Sequence, residues 1–192
     1  MNYLLLEKYI KEILKENKES ITRINIFDFD MTLFKSNLAP ESWDTRSAGF
    51  WYNSEESLNQ LYYKDKLDTL WIEDTIEEVK KSMRDPSCLT AMCTARSDRD
   101  EIVYVTNELL RLKGLEFDYN CLFYKPEGYS SSTADYKSGV AEMLLNSYSF
   151  CKELHFWEDD LRNLDAVKKL IDNNNRLNPN RQILFVSHVV EV

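Results

Sequence analysis

The feature that most restricts this chain is an alternation of two patterns. Short apolar runs, rich in β-branched and aromatic residues, recur at 23–28 (RINIFD), 88–93 (CLTAMC), 119–124 (YNCLFY), 153–157 (ELHFW) and 182–190 (QILFVSHVV). Between them lie helix-length stretches with apolar residues at three- and four-residue spacing: 68–83, 98–113, 134–147 and 160–173. In 160–173, for example, Leu161, Leu164, Val167, Leu170 and Ile171 form one stripe. Gly114, Asp85-Pro86-Ser87 and the Asn-rich 173–180 supply the breaks. Strands that alternate with helices build βαβ units, so the expected architecture is α/β, a mostly parallel sheet flanked by helices. In such sheets ligands bind at the carboxyl ends of the strands. Each strand end is therefore a place to look for chemistry.

The first run ends in Asp28-Phe29-Asp30-Met31-Thr32, flanked by Ile26, Phe27, Leu33 and Phe34. Two carboxylates in an apolar setting are costly to bury unless they are paired or bound to metal, and oxygen ligands of this kind suit a hard cation such as Mg²⁺. A solvated turn is the plainer account, and the apolar runs on both sides argue against it. The second run ends in Thr94-Ala95-Arg96, a hydroxyl and a guanidinium suited to a phosphate oxygen; helix capping by Thr94 or Ser97 is the alternative. Lys125 follows the third run, and Lys137 falls in the first turn of the next helix, where it opposes the helix dipole unless an anion faces it. The fourth run ends in Glu158-Asp159-Asp160, with Asn163 one turn on. Those acids suit either helix capping or metal coordination, and all three compete for the metal.

Composition narrows the class. The chain has 192 residues, 43% of them hydrophobic, with 11 Tyr, 9 Phe and 4 Trp. That load fits a folded domain and excludes disorder. A net charge of −9 disfavours a broad nucleic-acid surface but not a local phosphate pocket. Cys88, Cys93, Cys121 and Cys151 form no C-x-x-C pair, and there are only two histidines, which argues against zinc. The opening MNYLLLEKYIKEILKENKES lacks the form of a secretory signal, and no stretch is apolar for long enough to span a bilayer. The expectation is a cytoplasmic protein with reduced thiols and no membrane association.

Taken together, acid pair, hydroxyl, lysine and acid cluster stand in that order at successive strand ends. The order resembles the haloacid dehalogenase (HAD) superfamily of phosphohydrolases over about residues 22–190. The segment FDFDMTLF (27–34), the Thr94–Arg96 triplet, TADYK (133–137) and FWEDD (156–160) followed by Asn163-Leu164 are similar to the HAD domains of Swiss-army-knife RNA-repair proteins and to the phosphatase domains of polynucleotide kinase-phosphatases. Met31 and Ala95 stand where those families often have glycine, and both are read as residues at negative φ. The resemblance implies a Rossmann-like HAD fold, Mg²⁺ as cofactor, and a phosphoric monoester hydrolase that forms an aspartyl-phosphate. It implies Asp28 as nucleophile, Asp30 as acid and base, and Thr94 and Lys137 on the phosphoryl oxygens. Asp28, the backbone carbonyl of Asp30, Glu158 and Asp159 would hold the metal, and Thr32, Arg96 and Lys125 would bind substrate.

Residues 36–87 separate the first two motifs and are rich in aromatics. They are read as a cap-like insertion in a core formed by 1–35 and 88–192. Trp51 and Tyr52 are its best candidates to stack on a base, although aromatics more often pack than bind. Residues 2–19 have the pattern of an amphipathic helix, packed on the domain or docking a protein partner. The substrate expected is a phosphorylated small molecule or nucleic-acid end. The rival readings are a HAD-fold scaffold with weak catalysis and a phosphotransferase or small-metabolite phosphatase.

Overall fold

A computed structural model of the protein describes residues 18–36, 51–54, 57–58 and 67–191. Most of the expected N-terminal helix, and with it the partner-docking reading, lies outside the described residues, as does much of the insertion. Among the described residues, five strands alternate with four α-helices: β1 (Arg23–Phe27), α1 (Glu73–Arg84), β2 (Cys88–Ser97), α2 (Asp100–Leu112), β3 (Leu122–Lys125), α3 (Thr133–Ser147), β4 (Glu153–Glu158), α4 (Leu161–Leu177) and β5 (Leu184–Val189). All strand pairs are parallel, in the order β3-β2-β1-β4-β5. The chain therefore changes direction of travel across the sheet at β1 and β4, the topological switch point where α/β sheets place their ligands.

The period-2 alternation of β1 divides its side chains between two layers. Ile24 and Ile26 join a core with Tyr136, Val140 and Leu144 of α3 and Leu164, Val167 and Ile171 of α4. Phe27 points the other way, into a core with Met92, Trp157, Ile76 and Val79 of α1, and Leu109 and Leu110 of α2. Residues 73–84, placed with the insertion on sequence, thus form a helix packed on the sheet. Beneath α1, the buried Asn25 amide donates to Ser82 Oγ (3.0 Å), which also meets Thr90 Oγ1 (2.5 Å), while among the described residues Asn25 Oδ1 has no partner. All four cysteines are free and buried. Among the described residues, no helix is long and apolar enough to cross a membrane.

Helix α4 runs on to Leu177 through residues expected as loop, α1 begins only at Glu73 rather than 68, and two strand boundaries also differ from the sequence expectation. The second strand continues past Cys93 to Ser97, so Thr94 and Arg96 stand within a strand. The third strand begins only at Leu122, because the Asp118 side chain accepts the Asn120 N–H and turns 119–121 into a short 3₁₀ helix.

Candidate active site

Asp28 is the first residue past β1, and its N–H continues the ladder by donating to Trp157 O (3.0 Å). Its parity with Ile24 and Ile26 aims it at the α3 layer. There α3 opens with a capping box in which Ser132 and Asp135 satisfy each other's backbone N–H groups. That cap fixes the first turn and brings Lys137 inward. Lys137 Nζ lies 2.7 Å from Asp28 Oδ1 and 2.5 Å from Glu158 Oε2. All three residues are buried: 4%, 2% and 1% exposed for Asp28, Lys137 and Glu158. Burial pulls the Lys137 ammonium down, but Asp28 and Glu158 more than reverse this and raise it above the usual lysine range. The lysine that opposes the helix dipole is thus explained by the two acids it joins.

Asp159 completes the cluster. One carboxylate oxygen from each of Asp28, Glu158 and Asp159 lies within 4.8 Å of the others. Burial raises all three above the usual carboxylate range; Glu158 adds to the shift on Asp28, and Asp28 to that on Asp159. Asp160 leaves the competition for metal. Its side chain caps α4 by accepting the Arg162 N–H (2.9 Å) and pairs with the Arg162 guanidinium (2.6 Å). When ionised, the three carboxylates, Asp28 and Glu158 buried and Asp159 exposed, carry two negative charges more than the one ammonium offsets, and the donors are all oxygens. That set fits one hard divalent cation.

Asp30 is placed differently. Its side chain stands outside the carboxylate cluster and pairs with Arg96 (Nη2 to Oδ1, 2.6 Å), while Ser36 donates its hydroxyl to the same oxygen. Any metal contact from this residue falls to its backbone carbonyl. Arg96 is fully buried and shares its guanidinium widely: Nη1 donates to Tyr52 O (2.6 Å) and Ser57 Oγ (2.7 Å), and Nη2 also reaches Ser36 Oγ (3.3 Å). The residue expected to grip phosphate instead ties the β1 loop to the insertion. Ser36, Ser57 and the Tyr52 carbonyl were missed on sequence, since each meets Arg96 across tens of residues of chain.

A cavity of about 570 Å³ stands over these groups, walled by Asp28, Asp30, Lys137, Glu158 and Asp159, with Tyr52, Ala95 and Arg96 on one side. Thr94 and Thr32 are fully buried and do not line it. Thr94 Oγ1 accepts the Arg96 N–H (3.2 Å), and among the described residues Thr32 Oγ1 has no partner. Direct substrate contact by Thr32 is therefore not what the structure shows. Trp51 is corrected as well: it is buried, and its neighbour Tyr52 faces the cavity, because successive residues of a 3₁₀ turn point about 120° apart. Lys125 lies away from this cavity, at the edge of an adjoining one. Met31 takes a left-handed backbone with φ of +55°, against the negative φ expected of it.

A parallel sheet of this order, with an acid pair after β1 and a lysine and acids converging on it, defines a haloacid dehalogenase-type domain. The chain belongs to HAD domain family 1 of Swiss Army Knife RNA repair proteins, whose model matches residues 41–192. Lys137, Glu158 and Asp159 fall inside that match; Asp28 and Asp30 precede it, so their place in the site rests on geometry. An uncharacterized protein of Saccharomyces cerevisiae, YMR265C, is 22% identical over 171 residues, covering 79% of this chain and 37% of that protein. The chain thus spans little more than a third of that relative's length. In fold it is similar to the HAD domain of the effector protein Lem4 from Legionella pneumophila, with a TM-score of 0.53, 12% identity, and coverage of 89% and 87% of the two chains.

Proposed function

We propose that this domain is a Mg²⁺-dependent phosphomonoesterase that works through an aspartyl-phosphate and takes its phosphate from a nucleic-acid end or nucleotide. The carrying observation is the junction at Lys137, which joins Asp28 to Glu158 while Asp159 stands within carboxylate reach of both. Membership of an RNA-repair HAD family supports the substrate class.

Phosphate esters repel anionic nucleophiles, so the site has to offset negative charge before attack. Lys137 holds Asp28 Oδ1 and orients the carboxylate, leaving the other oxygen to attack phosphorus. Asp28, Glu158 and Asp159 would hold Mg²⁺, with the Asp30 carbonyl as a further ligand; when bound, the ion supplies charge neutralisation at the phosphoryl oxygens. As the new Asp28–phosphorus bond forms, the bond from phosphorus to the ester oxygen breaks, and Asp30 gives that oxygen a proton. Both Arg96 and Ser36 bind Asp30 Oδ1, which leaves Oδ2 as the proton carrier. Asp30 then takes a proton from water as the water attacks phosphorus, which releases phosphate and restores Asp28.

The test is turnover of an aryl phosphate with Mg²⁺. Asp28→Asn is expected to lose on the order of 10⁶-fold in kcat, the scale for removing a covalent nucleophile, with an unchanged circular dichroism spectrum. Undiminished turnover would overturn the nucleophile assignment. Equal rates on 3′- or 5′-phosphorylated oligonucleotides and on sugar phosphates would overturn the substrate class.

A further inference from the structure

A second cavity of about 620 Å³ adjoins the catalytic one across shared walls: Tyr52, Ala95, Ser132 and Thr133 line both. Its far side is formed by Arg99, Lys125 and Tyr129. Lys125 is the last residue of β3, and its ammonium lies 5.6 Å from the centre of the Tyr129 ring. Arg99 donates to the Asn53 carbonyl. Among the described residues, neither cation has a carboxylate partner, and Glu127 is the one acid on this wall. In a chain of net charge −9, two cations that face no carboxylate among the described residues, beside a phosphate site, suit a bound anion.

The position of this cavity says which part of a substrate it meets. In the proposed reaction the phosphoryl group meets the Asp28 oxygen that Lys137 leaves free, and the leaving oxygen is on the Asp30 side. Asp30 is held by Arg96, which also donates to the Tyr52 carbonyl on this wall, besides Ser57 and Ser36. The leaving group therefore departs toward Tyr52 and the small, exposed Ala95, the wall between the two cavities. Whatever continues from it meets Tyr52 and Tyr129 as flat apolar faces, then Lys125 and Arg99 as cations. A neutral polyol would use neither.

We propose that the second cavity is a subsite for the nucleotide next to the scissile phosphate, with its phosphodiester against Lys125 and Arg99 and its base against the tyrosines. The proposal rests on the phosphomonoesterase reading of the first cavity and adds that the substrate carries a second phosphoryl group one nucleotide away.

Binding to the full chain carrying Asp28→Asn separates the two ideas, because it needs no turnover. The probes are pApA against AMP and ApAp against 3′-AMP, with fructose 1,6-bisphosphate against fructose 6-phosphate as the non-nucleotide pair. In one polarity the dinucleotide is expected to bind about tenfold or more tighter than its mononucleotide, the scale of one charge-assisted contact. Adding Lys125→Glu should reduce that ratio to about one, and Lys125→Gln should fall between. Equal binding within both nucleotide pairs, or a ratio indifferent to Lys125, would overturn the subsite. An equal gain in the sugar pair would overturn its assignment to a nucleotide. Loss of all phosphatase activity in the unmutated chain, with the binding ratio intact, would count against the catalytic reading alone.

Discussion

At Met31 the β1 loop reverses within three residues. The Met31 N–H donates to Phe34 O (2.7 Å), and Leu33 and Phe34 both donate to Phe29 O. Closing so tight a loop requires φ of +55°, a region where a side chain meets its own carbonyl at about 1–2 kcal/mol. Glycine escapes that clash but loses about 0.5–1 kcal/mol in backbone entropy. Met31→Gly should therefore be mildly stabilising, by about 0.5 kcal/mol, or a rise of roughly 1–2 °C in melting temperature. A fall of several degrees would show that Met31 contributes packing that outweighs the strain. The position was visible in sequence as a departure from a glycine-bearing motif, but its backbone angle was not. The hydrogen bonds that close the loop belong to the fold. Arg96 teaches the same lesson: its charge and place near a strand end were legible, whereas its partners Asp30, Tyr52 and Ser57 become neighbours only when β2 lies beside β1 and the insertion folds over both.

The elements themselves were legible because parallel strands buried on both faces read as apolar runs, and helices carry their stripe at a different period. What escaped was where ladders stop. β2 runs on to Ser97 because β3 still pairs with it there, after a register shift between Thr94 and Ser97, and no local pattern announces a shifted partner. The edge pair β4–β5 holds another feature that pairing alone creates. Trp157 is registered with His188, and the two rings stack at 4.0 Å and 3°. His188 Nε2 also lies 3.1 Å from His155 Nδ1. Burial lowers the His188 pKa, and the neighbouring His155 lowers it further. A depressed histidine disfavours its charged form in the folded state. Its contribution to stability is present above the ordinary value of 6.5 and is lost as pH falls through the folded-state value. The fall in melting temperature between about pH 7.5 and about pH 5.5, the span over which histidine charges, should thus be larger in the unmutated chain than in His188→Gln. Equal falls would mean that the imidazole pair carries no part of the acid sensitivity.

For the whole molecule, the arrangement sets local charge against global charge. A chain of net charge −9 concentrates Asp28, Glu158 and Asp159 at the switch point of its sheet and offsets them there with one lysine. The fold tolerates this because Lys137 stays charged and because burial raises all three acids, which retain protons at a pH where free carboxylates have lost them. The sign of the linkage follows. A carboxyl group raised in the folded state adds no penalty while it is protonated in both states, and it costs stability as pH rises through its folded-state value. A divalent cation removes that cost by binding the ionised form and displacing the protons. Mg²⁺ should therefore raise the unfolding free energy, by about 2.7 kcal/mol at a concentration 100 times its dissociation constant, and at fixed Mg²⁺ the gain should be larger at about pH 8 than at about pH 5.5. Asp159→Asn removes one ligand without touching the Lys137 pairs, so it should cut the Mg²⁺-induced gain while leaving the metal-free protein equally or more stable at the higher pH. Thermal unfolding with Mg²⁺ and with EDTA, at both pH values, reads all four quantities. A gain that is independent of pH, or that survives intact in Asp159→Asn, would show that the three carboxylates are not where the cation binds.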